Sequence, residues 1–181
     1  MVAVAIKKEM DLKKHIKSVL DYPKDGVDFK DITPLFNNVD ALQYTINAMS
    51  EFVKSCGANV IVAPEARGFL FGPAVAFNTK TRFVLVRKPG KLPREVHSVE
   101  YALEYGTDEQ QMHKDDLNPG DKVVIIDDIL ATGGTMEAII KLIEMQGATI
   151  EGISFLADLE YLHDPEFLSE YKTQRLVSYA D

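Results

Sequence analysis

KVVIIDDILATGGTMEAII, residues 122–140, joins an apolar run to two acids, a glycine turn and an amphipathic segment. The continuous apolar run is typical of a short strand that is buried on both faces. The segment after the turn places apolar side chains at helical spacing, at Met136, Ile139, Ile140 and Ile143. The stretch therefore predicts a strand that ends in Asp127 and Asp128, a tight turn, and then a helix.

Short apolar runs and helical segments alternate on both sides of this stretch. Strands are predicted at NVIVAP (59–64), RFVLVRK (82–88), KVVIIDD (122–128) and TIEGISFLAD (149–158). Helices are predicted at GFLFGPAVAFNTK (68–80) and TMEAIIKLIEMQG (135–147). Strands that alternate with helices favour right-handed crossovers, so we expect an α/β fold with a central parallel, twisted sheet flanked by helices.

The first part of the chain shows two helical patterns separated by a turn-rich loop. Leu12, Ile16, Val19 and Leu20 fall on one helical face and predict a first helix. DYPKDGVDFKDITP (21–34) contains two prolines and a glycine, which favours an ordered loop. A second helix is predicted to end at Gly57, from the spacing of Leu42, Ile46, Met49, Val53 and Cys56.

The segment from about residue 88 to residue 121 is long, mostly polar and without a clean period. Its centre, EYALEYG (100–106), combines aromatic and acidic residues. Irregular segments of this length in compact domains usually carry function or are disordered. We interpret this one as a flexible lid over a functional site.

Composition and charge exclude several classes of function. The chain has 181 residues, of which 46% are hydrophobic and 27% charged, as in a globular domain. Its net charge of -8 argues against general binding to nucleic acids or anionic membranes, which require a basic face. Cys56 is the only cysteine, and no signal peptide or membrane span is predicted. We therefore expect a cytoplasmic protein.

The acid pair and the glycine turn together predict a site for a sugar phosphate. A helix N-terminus with exposed amides binds anions, and Gly133 and Gly134 let the backbone approach a phosphate closely. Two carboxylates beside a phosphate would repel it unless they bound another group. Vicinal ribose hydroxyls can donate hydrogen bonds to such carboxylates. The spacing therefore predicts a ribose 5-phosphate, with extra hydroxyl donors from Thr132 and Thr135.

A plainer interpretation exists for each piece of this motif. The same residues could form an ordinary strand, turn and helix with a threonine cap and a solvated acid pair. The contiguity of strand, acid pair and TGGT favours the sugar-phosphate site over this alternative. The common nucleotide-binding patterns G-x-x-x-x-G-K-[ST] and G-x-G-x-x-G are absent from the sequence.

VVIIDDILATGGT (123–135) resembles the signature of the type I phosphoribosyltransferases, which bind 5-phosphoribosyl 1-pyrophosphate. Further blocks resemble the adenine-specific members of that family: GVDFKDITP (26–34), APEARGFLFGPAVA (63–76), RKPGKLP (87–93) and EYALEYGTD (100–108). The resemblance runs from roughly Asp21 to Leu159, with each motif in the expected order.

The resemblance implies a purine-salvage enzyme. The implied reaction transfers the phosphoribosyl group from 5-phosphoribosyl 1-pyrophosphate to adenine, giving AMP and pyrophosphate. The implied organisation is a single phosphoribosyltransferase domain over residues 1–181. Residues 1–36 would contribute a small base-binding hood, and about 88–121 a flexible catalytic lid.

The resemblance also implies roles for individual residues. It assigns the ribose 5-phosphate to Asp127, Asp128, Ala131, Thr132, Gly133, Gly134 and Thr135. It assigns the pyrophosphate to Glu65, Ala66, Arg67, Arg87, Lys88 and Lys91. The first three lie at a turn that often has a cis peptide bond in the family. It assigns adenine to Val27, Phe29, Lys30 and Leu159. It assigns catalysis to Glu104, Arg67 and Tyr105.

The residues alone leave second interpretations open for several of these assignments. Phe29 is equally compatible with a core aromatic, and Arg67 with a surface arginine at a strand end. The cations of residues 87–91 could be a solvated basic cluster, and Glu104 could lie on an ordinary surface loop. Lys30 stands where many family members carry arginine, which puts a guanidinium contact to the base in doubt.

Cofactor and partners also follow from the resemblance. Magnesium is the expected cofactor, held mainly by substrate and water oxygens rather than by protein ligands. A homodimer is expected. The alternatives are a family member that uses hypoxanthine, guanine or orotate, and a transcription regulator that binds the sugar donor as an effector. A DNA-binding regulator needs a basic module, and this acidic chain leaves no length for one.

Overall fold

The computed structural model describes residues 10–102 and 107–180. The chain forms two compact units, Met1–Thr45 and Ile46–Asp181. The first unit extends beyond the hood predicted for residues 1–36, and its assignment as a base-binding hood stays a prediction. Within the described ranges, no helix is both long enough and apolar enough to cross a membrane.

The first unit contains a small antiparallel hairpin followed by a short helix. Strands β1 (Lys17–Leu20) and β2 (Asp28–Asp31) pair in antiparallel fashion, and α1 (Thr33–Phe36) follows. Helix α2 (Val39–Cys56) begins in this unit and ends in the second one.

The predicted first helix is wrong in most of its length. Only Leu12–His15 is helical, as a single 3₁₀ turn, and the chain then enters β1. Val19 pairs with Phe29 across the hairpin. This pairing provides hydrogen-bond partners for backbone N–H and C=O groups, many of which would have none in a short isolated helix. Leu20, predicted to lie on the buried helical face, is 71% exposed.

A five-stranded parallel sheet forms the centre of the second unit. Its strands run in the order β4-β3-β7-β8-β9. The strands of this unit are β3 (Val60–Pro64), β4 (Arg82–Val86), β5 (Val96–Ala102), β6 (Thr107–His113), β7 (Lys122–Leu130), β8 (Thr149–Leu159) and β9 (Thr173–Tyr179). Its remaining helices are α3 (Gly72–Thr79) and α4 (Gly134–Glu144). This sheet confirms the predicted fold class; β9 was not predicted.

Helices cover both faces of the sheet. Val62 of β3 packs in one apolar cluster with Ile139 of α4. Ala63, the next residue of β3, points to the other face and lies 3.1 Å from where a side chain on Gly72 of α3 would begin. Helix α2 approaches β8 closely as well, because a Cβ on Gly152 would lie 2.8 Å from the sulfur of Cys56.

The segment predicted as an irregular lid contains regular structure. Strands β5 and β6 form an antiparallel hairpin, with Tyr101 opposite Asp108. The sequence of this hairpin shows no clean alternation of apolar and polar residues, because the polar residue Gln110 is buried on β6 alongside Met112. The role of residues 88–121 as a lid stays a prediction.

Candidate active site

A cavity of about 320 Å³ lies at the carboxyl ends of β3 and β7, among the residues that follow these strands. From β3 the chain runs to β4 on one side of the sheet and later returns to β7 on the other. Ligands in open parallel sheets bind at this kind of switch point. The predicted site residues that line the cavity are Glu65, Ala66, Arg67, Lys88, Asp127, Asp128, Ala131, Thr132, Gly133 and Thr135.

The acid pair is buried at the end of β7. Asp127 is 9% exposed and Asp128 is 2% exposed, and Asp127 Oδ1 accepts a hydrogen bond from the amide of Asp128 at 2.8 Å. Arg67 Nε lies 2.8 Å from Asp128 Oδ2 as an ion pair without hydrogen-bond alignment. The structure thus joins the predicted sugar-binding acids to the predicted pyrophosphate-binding arginine.

Burial makes it costly for both acids to be charged at once. Burial raises the pKa of the Asp127 carboxyl well above its ordinary value, and the neighbouring charge of Asp128 raises it further. Burial raises the pKa of Asp128 too, although the positive charge of Arg67 opposes that rise. Groups that donate hydrogen bonds to these carboxylates, such as ribose hydroxyls, would stabilise the charged forms.

The raised pKa of Asp127 leads to a stability prediction for Asp127→Asn. The native state keeps a proton on Asp127 at pH values where the unfolded carboxyl, with a pKa of about 3.9, has lost it. The contribution of Asp127 to the free energy of unfolding of the wild type therefore falls as pH rises from about 4 towards the pKa of Asp127 in the native state. Asparagine does not titrate, so the free energy of unfolding of Asp127→Asn minus that of the wild type should increase from pH 4 to pH 7.

Urea denaturation at both pH values measures this difference, with Asp115→Asn as an exposed control. The same variant should be less active than the wild type. Its kcat/KM should fall roughly 10- to 100-fold, because one hydrogen bond to a charged group is lost. A stability difference that shrinks between pH 4 and pH 7 would contradict the raised pKa.

The glycine turn that precedes α4 has a backbone that favours glycine. Gly133 caps the helix with φ of 88°, in the left-handed region. A Cβ there would lie 2.6 Å from the ring of Phe167, which packs against the turn from outside the cavity. Helix α4 starts at Gly134, so its first amides are exposed towards the turn that the sequence assigned to a phosphate.

The turn after β3 has the cis peptide bond that the resemblance implied, between Glu65 and Ala66. Arg87 forms an ion pair with Glu65 and donates a hydrogen bond to the carbonyl of Lys91 at 3.2 Å. Arg87, Lys91 and Gly134 do not line the cavity, whereas Lys88 does. The cations of this cluster are therefore partly engaged by the protein's own groups.

The structure adds cavity residues that sequence reasoning did not assign. The hairpin contributes Tyr101, Asp108 and Gln110, and the sheet and α4 contribute Phe155 and Met136. Tyr101 and Asp108 are opposite one another on β5 and β6, a relation that only a correct strand assignment could have revealed.

The residues predicted to bind adenine lie in both units. In the first unit, Phe29 packs edge-on against Tyr22, with ring centroids 5.2 Å apart, and Val27 lies in the connection before β2. Lys30 is 5% exposed, and its ammonium donates hydrogen bonds to Asp28 and Ser18. In the second unit, Leu159 ends β8 and is buried. Glu104 and Tyr105 lie outside the described residues.

The family of the chain follows from comparison with known proteins. Residues 28–170 match the model of the phosphoribosyl transferase domain, a span that includes the acid pair, the glycine turn and the cavity. The chain belongs to the phosphoribosyltransferase family.

Its relatives include adenine phosphoribosyltransferases. An adenine phosphoribosyltransferase of Mesoplasma florum is 68% identical over 94% of this chain and 100% of its own. A crystal structure of the Thermoanaerobacter pseudethanolicus enzyme has a TM-score of 0.89 at 45% identity, covering 93% of this chain and 98% of its own. The Saccharomyces cerevisiae enzyme, solved with an imino-altritol bisphosphate and adenine, has a TM-score of 0.84 at 34% identity, covering 91% of this chain and 96% of its own. Within the family, the chain groups with the adenine phosphoribosyltransferases.

Proposed function

We propose that this protein transfers the phosphoribosyl group of 5-phosphoribosyl 1-pyrophosphate to adenine, giving AMP and pyrophosphate in purine salvage. The observation that carries the proposal is the cavity, in which a buried acid pair meets a glycine turn at a helix N-terminus and the cations Arg67 and Lys88. The 68% identity to a curated adenine phosphoribosyltransferase supports the choice of base.

In this reaction, adenine N9 attacks the anomeric carbon of ribose, the bonding pair of the bond to pyrophosphate leaves with the pyrophosphate oxygen, and the N9 proton passes to a base, for which we propose Glu104. The sugar passes through an oxocarbenium-like state, which the carboxylates of Asp127 and Asp128 would favour. The departing pyrophosphate gains charge, so donors and cations at the turn after β3 and at Lys88 should lower the barrier. We propose that Arg67 touches this leaving group, because it lines the cavity and already lies beside Asp128.

Magnesium fits this site as a counter-ion of the substrate. Within residues 10–102 and 107–180, no three acidic, histidine or cysteine side chains converge on a metal-sized site. The buried acids supply hard oxygen ligands, but Arg67 already faces one of them. We therefore propose that the metal is held mainly by substrate and water oxygens, where it would neutralise phosphate charge.

The groups that we propose for recognition of adenine are those that the resemblance assigns, considered one residue at a time. Lys30 is buried and its ammonium donates to Asp28, which favours backbone rather than side-chain contact with the base at this position. Phe29 and Leu159 would supply apolar contact to the ring. We also propose that the protein is a homodimer, which size-exclusion chromatography with light scattering would test. We propose a cytoplasmic location for it as well.

Base selection is the direct test of the proposed function. Purified protein is incubated with magnesium, the sugar donor and, in turn, labelled adenine, hypoxanthine, guanine or orotate. AMP should form rapidly, and the other three bases should react at least about 100-fold more slowly, since a site built to hydrogen-bond one base edge leaves buried groups unpaired with another. IMP formation at a rate that matches AMP formation would show that the base assignment is wrong.

A further inference from the structure

Asp108 places a carboxylate in a cavity that should receive phosphates. It lines the cavity together with Lys88, and the two side chains form an ion pair. A negative group beside a polyphosphate is repulsive, so its presence calls for a physical reason. No residue role inferred from the sequence includes Asp108.

The same carboxylate engages a second donor. Tyr101 donates its hydroxyl hydrogen to Asp108 Oδ2 at 3.0 Å, and Tyr101 Oη lies 3.1 Å from Thr135 Oγ1. With its hydroxyl hydrogen on the carboxylate, the Tyr101 oxygen accepts from Lys88 and Gln110 at 3.4 Å and lies in hydrogen-bond contact with Thr135 Oγ1. Asp108 therefore contacts Lys88 directly and is linked to Thr135 through the hydroxyl of Tyr101.

Lys88 and Thr135 both belong to the proposed substrate site. Lys88 lines the cavity and is assigned to pyrophosphate by the resemblance, and Thr135 stands in the first turn of α4 and is assigned to the ribose 5-phosphate. Burial raises the pKa of Asp108, but the hydrogen bond from Lys88 and the other hydrogen bonds outweigh burial and hold its pKa below the ordinary value. The carboxylate is thus charged at neutral pH, in contact with Lys88 and linked to Thr135.

We propose that Asp108 is a positioning residue that stands in for a phosphate: it holds Lys88 and, through Tyr101, Thr135 in the free protein, and pyrophosphate must displace it from Lys88. The inference rests on the proposed function. Its consequence is that Asp108 weakens binding of pyrophosphate and so speeds release of that product.

Calorimetric titration of the full chain with inorganic pyrophosphate and magnesium tests the exchange. Asp108→Asn should bind pyrophosphate roughly tenfold more tightly, because one charge-assisted hydrogen bond no longer competes. Glu109→Gln is the matched control, since it removes the same charge one residue away, from a side chain that does not line the cavity and accepts from Gln111. The control should bind as the wild type does.

A double-variant comparison separates direct competition from general charge. In a Lys88→Met background, Asp108→Asn should change pyrophosphate affinity less than about twofold, because the shared partner is gone. In steady-state assays, Asp108→Asn should lower KM for the sugar donor and also lower kcat through slower product release. Asp108→Ser, a smaller neutral side chain, should give the same split.

Two failures can be told apart. If the wild type neither binds pyrophosphate nor forms AMP, the proposed function fails. If the wild type does both, but Asp108→Asn and Asp108→Ser bind pyrophosphate no more tightly than Glu109→Gln, the competing role of Asp108 is overturned.

Discussion

Arg67→Ala should lower kcat roughly 100- to 1,000-fold, the effect of removing one preorganised donor to a charge that develops in the transition state. Two losses combine in this variant. The departing pyrophosphate loses a planar, permanently charged donor. Asp128, which is buried, loses the positive charge that opposes the rise of its pKa, so it should hold a proton to higher pH and bind ribose less well.

Two further variants show which property of Arg67 matters. Arg67→Lys keeps the charge but loses the two-pronged geometry, so its activity should lie between those of the wild type and the alanine variant. Arg94→Ala is the matched control, because Arg94 also pairs with acids but on an exposed surface, where an ion pair contributes little. Steady-state kinetics and thermal denaturation of all four proteins make the test. An alanine variant that retains more than a tenth of wild-type kcat/KM would remove Arg67 from the catalytic residues.

Glu104→Gln should lower kcat roughly 100- to 10,000-fold, the range for a positioned acid or base. We propose this role from the resemblance of EYALEYG (100–106) to the catalytic segment of the family. Glutamine keeps size and hydrogen-bonding capacity and removes only the titrating group. An interaction made only in the transition state lowers kcat and kcat/KM together and leaves binding of the sugar donor nearly unchanged.

Single-turnover measurements separate chemistry from product release in this variant. Glu100→Gln serves as the control, because it changes an exposed acid of the same segment. If single-turnover chemistry is unchanged and only donor affinity falls, Glu104 is a binding residue and its catalytic role is wrong.

The sheet and the sugar-phosphate motif were predictable because their signals are local. In the stretch 122–140, strand, acids, turn and helix follow one another along the chain, and the structure places β7 and α4 where the pattern predicted them. Apolar runs buried on both faces stand out in any sequence window. The same locality let the resemblance locate the turn at Glu65 and Ala66, which has the expected cis bond.

Pairing between strands of a hairpin made the sequence interpretation wrong in two places. Val19 takes part in a strand rather than a helix because Phe29 pairs with it across a hairpin. Strands β5 and β6 were missed because a hairpin that buries Gln110 lacks clean alternation of apolar and polar residues. In both cases pairing with the other strand of the hairpin outweighed the periodic pattern within one strand.

By itself, then, the sequence determined the fold class, the acid pair of Asp127 and Asp128, and the glycine turn, since each is written in contiguous residues. Tertiary structure decided which charges meet. Lys88 reaches Asp108 across 20 positions, and Tyr101 reaches Thr135 across 34. Contacts of this kind depend on where separate strands end in space, which the local pattern around either partner does not fix.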